Sequence, residues 1–147
     1  MDHPLTVWYC DVCGEKIEGA NQGYVIWDSQ NNEKTSQFKI VHQTKCDTGK
    51  ENLSAALEDF RGDKGIAILL SFLSQGPVEK NFNRKQQRIS YNLDNYVDFF
   101  RRVQVPYYEE ARLIFGNRDY LESLSDHEES YLPDRLVEII RGFGSRT

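Results

Sequence analysis

No stretch of this 147-residue sequence approaches the roughly 20 consecutive apolar residues that cross a bilayer, which excludes a membrane-spanning helix. Cysteine is scarce. Cys10, Cys13 and Cys46 are an odd set, and an odd set cannot close into a complete disulfide framework. Positive charge is also short, with 18 Lys and Arg against 23 Asp and Glu and a net charge of −5. That balance argues against bulk, non-specific nucleic-acid binding while leaving room for a local basic patch. The start, Met1-Asp2-His3-Pro4, has neither the basic residues nor the apolar core of a secretory signal. The expected location is therefore cytoplasmic, where clustered thiols serve metals or redox chemistry. Internal repeats and sustained heptads are missing, so neither a solenoid nor a long coiled coil is expected.

What is present describes a folded chain. Hydrophobic residues make up 39% and aromatic residues 12%, despite a mean hydropathy of −0.65. The length suits one domain and buries roughly 70% of the unfolded surface. Up to Cys46 the texture is that of short strands: Leu5–Tyr9, Gly23–Trp27 and Gln37–His42. The Asn-containing connection from Asp28 to Glu33 suits a hairpin turn. Period two places Phe38, Ile40 and His42 on one face.

Beyond Cys46 the texture becomes helical. Asn52 is positioned to cap a short helix through Leu53, Ala56, Leu57 and Phe60. Asp63 is positioned to cap a second, with Ile66, Leu69, Leu70 and Leu73 inward and Gly76-Pro77 as its stop. Residues Pro77 to Ser90 read as an exposed polar connection. A helix over Leu93–Val103 follows, with Tyr96, Val97, Phe100 and Val103 inward, and Pro106 breaks it. The next helix ends at Gly116-Asn117, Tyr120–Leu124 forms a further short one, and Leu132, Leu136, Val137, Ile139 and Ile140 mark the last.

The chemistry-bearing pattern is Cys10-x2-Cys13 followed by His42-x3-Cys46. A cysteine pair separated by two residues and followed by Gly14 fits a knuckle turn whose N–H groups face a thiolate. The intervening hairpin returns the second pair beside the first. Three thiolates and one imidazole fill a tetrahedral shell, and so soft and redox-silent a set suits zinc better than calcium or magnesium. A redox pair and an iron site are the competing readings, and His3 is the reserve fourth ligand. A histidine on an apolar strand and a lone Cys46 would each, by itself, be an ordinary core residue.

These residues resemble the treble-clef and zinc-ribbon type of small zinc domain. Position by position, the resemblance makes Cys10 and Cys13 the knuckle ligands and His42 and Cys46 the second pair. It covers about the first third of the chain and departs from the common pattern in having His-x3-Cys. The run Phe99–Arg112 resembles segments of uncharacterised bacterial or phage proteins, and no activity comes with that likeness.

Four protein ligands close the shell that a catalytic zinc keeps open. His-Glu-x-x-His, the deaminase signature, phosphate-cradling Gly-rich loops and the Gly-x-Ser-x-Gly elbow are all missing from the sequence. His127-Glu128-Glu129 reads as a solvated loop, and Glu109 and Glu110 point about 100° apart on a helix. An enzyme is not expected.

The local basic feature is Arg84-Lys85-Gln86-Gln87-Arg88 with Tyr91, able to grip phosphate and stack on a base, or simply to keep a loop solvated. Arg101-Arg102 lies among Asp94, Asp98, Glu109 and Glu110, which offer internal ion pairs instead. Trp8, Tyr9, Tyr24 and Trp27 read chiefly as core, with a protein-binding face carrying Val25, Trp27 and Val41 as the alternative. The expected architecture is α+β: a zinc-stapled β-hairpin module over 1–50, packed against a C-terminal group of four to five helices over 51–147. The expected role is that of a non-enzymatic interaction or regulatory protein contacting another protein, with nucleic-acid binding through Arg84, Lys85, Arg88 and Tyr91 as the alternative.

Overall fold

A computed structural model of the chain describes residues 4–28, 37–49, 51, 53–74, 77, 93–123 and 131–144. Among the described residues are five short strands: β1 (Trp8–Tyr9), β2 (Lys16–Ile17), β3 (Gly23–Trp27), β4 (Lys39–His42) and β5 (Leu53–Ala56). Five helices follow among the described residues: α1 (Gly62–Leu73), α2 (Leu93–Gln104), α3 (Tyr108–Arg112), α4 (Arg118–Ser123) and α5 (Pro133–Phe143). β1 and β2 form an antiparallel pair, and β4-β3-β5 form an antiparallel sheet with β3 in the centre. The architecture is α+β, as the sequence suggests. The segment Arg84–Arg88, together with Tyr91, His3 and His127, lies outside the described residues.

The central strand explains one departure from expectation. Val25, Ile26 and Trp27 are consecutive and all buried, so β3 is covered on both faces and needs a partner on each edge. β4 supplies one edge, with Tyr24 opposite Val41 and Val25 opposite Ile40. β5 supplies the other, with Val25 opposite Ala55 and Trp27 opposite Leu53. Leu53–Ala56 is therefore strand rather than the first turns of a helix, and only Leu57–Phe60 coils, as a short 3-10 helix. Sheet completion overrides local helical preference here. β2, whose two residues carry no periodic signal, pairs Lys16 with Tyr9 and Ile17 with Trp8.

Helix faces also differ from the simple periodic reading. In α1 the inward residues are Gly65 and Leu69, with Ile68 and Phe72 half-buried, while Ile66, Leu70 and Leu73 stand exposed. Gly65 sets this rotation. A Cβ there would come within 2.1 Å of the Phe60 carbonyl oxygen, so only glycine lets the helix seat so closely. In α2 the buried residues are Tyr96, Phe99, Arg102 and Val103, rather than Val97 and Phe100. Phe99 is drawn in by Phe38, whose ring stacks on it at 4.6 Å and 5°. Trp27 and Phe60 close the same aromatic group, 5.5 Å from Phe38 and 5.3 Å from Phe99 respectively. The face carrying Val25, Trp27 and Val41 is thus core, not a binding surface.

A second cluster joins α3, α4 and α5 through Tyr108, Ala111, Ile114, Tyr120, Leu136 and Ile139. The two clusters meet at a buried ion pair. Tyr107, at φ 67, reverses the chain after α2 so that Glu109 returns beside Arg102. Arg102 Nε and Nη2 donate to the Glu109 carboxylate at 2.7 and 2.8 Å, and Nη1 donates to Asp11 Oδ2 at 2.7 Å. Nη2 also reaches the Tyr9 carbonyl at 3.0 Å, and the Trp8 indole N–H donates to the Arg102 carbonyl at 2.9 Å. Burial opposes the charge on Arg102, but the bonds and fields of Glu109 and Asp11 more than offset it and raise its pKa. Both members of the pair are about 2% exposed, so each depends on the other for solvation.

Arg102→Met should therefore strand a buried carboxylate. A cost of about 3–5 kcal/mol is expected, a fall of roughly 10–20 °C in melting temperature. Arg101→Ala, which removes a cation lying 4.0 Å over the Tyr131 ring, should cost about 1 kcal/mol or less. Paired thermal melts of the two variants check the contrast.

Candidate metal centre

The cysteine and histidine side chains converge because three segments, two turns and a strand, bring them there. In the first, the Cys10 N–H donates to the Glu15 carbonyl and the Gly14 N–H to the Cys10 carbonyl, both at 2.9 Å. Gly14 sits at φ 76, in the left-handed region that glycine enters without strain. This fold aims the N–H groups of Val12 and Cys13 at Cys10 Sγ, at 3.4 and 3.5 Å. In the second, β4 delivers His42 opposite Gly23. The third is the tight return from His42 to Cys46, with Thr44 at φ 69 and the Cys46 N–H facing the His42 carbonyl at 3.3 Å.

One ligand atom each from Cys10, Cys13, His42 and Cys46 lies within 4.8 Å of all the others. His42 Nδ1 stands 3.4 Å from Cys13 Sγ and 3.7 Å from Cys46 Sγ. A tetrahedral zinc with ordinary Zn–S and Zn–N bonds spaces sulfur and nitrogen about 3.6 Å apart, so the donor set fits the ion's size. The far side of the imidazole fits as well. His42 Nε2 lies 3.0 Å from the Lys16 carbonyl, an acceptor only, so Nε2 carries the proton and donates it there. That hydrogen bond leaves Nδ1 with a free lone pair facing the thiols, the arrangement a metal-binding histidine needs. The short strand β2 thus sets the tautomer.

Electrostatics of the three thiols separate them. Burial opposes ionisation of Cys10, but the N–H groups of Cys13 and Val12, with His42, outweigh it and bring the thiol down to about 6. Cys46 moves the other way. Burial, then the hydrogen bonds and negative fields of Cys10 and Cys13, push it up to about 11. Thiolates crowded this closely repel one another, and a divalent cation among them reverses that sign. All four predicted ligands are brought together. The basic residues Arg84, Lys85 and Arg88, with Tyr91, lie outside the described residues. Of the neighbouring pair, Arg102 is spent on Glu109 and Asp11.

One further residue belongs to the centre and carries no sequence signal of its own. Asp11, between the knuckle cysteines, accepts the Ile40 N–H at 2.8 Å through Oδ2, while its own N–H donates to the Ile40 carbonyl at 2.8 Å. The same Oδ2 takes the bond from Arg102. Asp11 therefore clamps the knuckle to β4, the strand that carries His42. After Cys46 the chain runs into strand β5, where a treble clef would have its helix. No family model, curated protein or solved structure matches the chain. The treble-clef likeness accordingly rests on ligand spacing and the hairpin alone.

Metal loading at neutral pH should release at least one proton, because Cys46 is protonated there and must ionise to bind. Calorimetry of zinc binding in buffers of different ionisation enthalpy should give a proton release of about one or more. Affinity should rise with pH across the interval from about 6 to about 11, and fall more steeply below 6, where Cys10 also protonates. Cys13→Ser should weaken zinc by more than the roughly 10–100-fold typical of an outer-shell change. Retention of one zinc per chain with an unchanged melting curve in that variant would contradict the ligand assignment.

Proposed function

We propose that this chain is a zinc-stabilised, non-enzymatic interaction protein of the cytoplasm whose helical part contacts another protein. The observation that carries the reading is the four-residue donor set. Three thiols and an imidazole complete a tetrahedral shell, leaving no position for a substrate or an activated water. Zinc in such a set is structural: it ties the knuckle to β4. A protein partner is supported by α1, where Ile66 and Leu70 are 38% and 53% exposed although both are large and apolar. They lie on the side away from Gly65 and Leu69, one turn apart, as the anchors of a helix-face contact do.

Binding to nucleic acid would rest on Arg84, Lys85, Arg88 and Tyr91, and it predicts a different dependence on salt. Leu70→Asp should abolish capture of a protein partner while leaving zinc content and melting temperature unchanged, since Leu70 is exposed. Partner capture that persists at high salt and is lost in this variant supports the proposal. Capture of RNA or DNA that weakens steeply with salt and is lost in Arg84→Ala and Arg88→Ala replaces it with the nucleic-acid reading.

A further inference from the structure

Glu109 and Glu110 are adjacent on α3 and meet opposite surroundings. Glu109 is buried and accepts two hydrogen bonds from Arg102. Glu110 points about a quarter-turn away and forms no ion pair with any side chain among the described residues. It is half-buried, and it lines a cleft of about 500 Å³ between the end of α3, β1 and α5. Leu113, Ile140 and Phe143 contribute apolar walls, and Tyr9 and Asn117 add polar groups. Burial and the like charge of Glu109 raise the Glu110 carboxyl above the ordinary range, outweighing its own backbone N–H and the terminal ammonium, which oppose them.

A volume of this size suits a small organic molecule, for which apolar walls and a few placed polar groups are the usual site. The charge selects its sign. An anion would meet the Glu110 carboxylate, and a neutral ligand would dry Glu110 without pairing it, at a net cost. A cation repairs the deficit. We propose that this cleft binds a small organic amine, an ammonium on an apolar stem, with Glu110 pairing the nitrogen and Leu113, Ile140 and Phe143 enclosing the stem. The proposal is independent of the metal and of the α1 surface, because none of the cleft residues is a metal ligand or lies on α1.

The test uses the full, zinc-loaded chain at mildly alkaline pH, where the amine is still charged. Phenylethylamine and its uncharged counterpart phenylethanol are titrated separately, with binding followed by amide NMR shifts. The amine should perturb Leu113, Asn117 and Phe143 and bind roughly tenfold or more tightly than the alcohol. Glu110→Gln should reduce amine affinity to that of the alcohol and leave the alcohol unchanged. Leu113→Ala, at a position 57% exposed, should weaken both ligands alike without unfolding the chain. Equal affinity for amine and alcohol, full amine affinity in Glu110→Gln, or no shift at the cleft with either ligand at millimolar concentration would each overturn the proposal.

Discussion

The guanidinium of Arg102 is the point on which the architecture hangs. It is nearly dry, and its donors are divided among Glu109 on α3, the Asp11 carboxylate in the knuckle and the Tyr9 carbonyl of β1. Every one of these acceptors belongs to a different piece of the chain. A buried charge tolerates little misplacement, because desolvation is repaid only by near-ideal geometry on all sides. The bidentate contact to Glu109 fixes the approach of α3 to α2, and the contacts to Asp11 and Tyr9 fix the approach of the knuckle to both. Apolar side chains of similar volume would pack there as well, but they would accept many orientations. The ion pair accepts one. Its role is best understood as selecting the docking geometry, while the Trp27, Phe38, Phe60 and Phe99 rings supply most of the burial.

Through Asp11 the same network reaches the metal centre. The residue lies between two ligands in sequence, and its carboxylate holds both the Ile40 N–H and Arg102. Ile40 is two residues before His42 on β4. Order in the thiol cluster and order in the helix pair are thus joined by one carboxylate oxygen. The cluster sets three thiols against one another, with Cys46 pushed towards protonation by burial and by its two neighbours. A cation removes that conflict and lets Cys10, Cys13 and Cys46 be thiolates together. With an ion bound, the knuckle would be held from both sides, by metal at its sulfurs and by Arg102 at its aspartate.

Much of this was legible in the sequence because it is local. Cys10-x2-Cys13-Gly14 predicts its own turn, and β3 appears within its expected limits from Gly23 to Trp27. The return of His42 and Cys46 to the knuckle followed from the hairpin between Cys13 and His42, and four ligands expected from spacing lie together. What escaped is non-local. β5 is a strand because β3 has a free edge, and nothing in Leu53-Ser54-Ala55-Ala56 announces that edge. The orientation of α1 depends on Gly65 meeting the Phe60 backbone, so of the periodic stripe Ile66, Leu69, Leu70 and Leu73 only Leu69 is buried and the others face outward. Arg102 was visible only as one of two arginines near several acids, and its neighbour Arg101 stacks on Tyr131 instead.

The contrast between Glu109 and Glu110 shows how helical geometry turns one sequence feature into two kinds of group. Successive residues on a helix diverge by about 100°, so a doubled acid cannot have both members face the same cation. Arg102 commits to Glu109 with two nitrogens and has none left for its neighbour, because its third goes to Asp11. Glu110 is carried by the same turn of helix into a half-buried place against the α5 cleft, next to Tyr9. Fixing α3 by its first acid therefore obliges the second to stand where solvation is poor and an opposite charge is absent from the described side chains. A residue left in that state by the folding requirement of its neighbour is one on which a ligand's charge gains the most, since the desolvation has been paid by the fold beforehand.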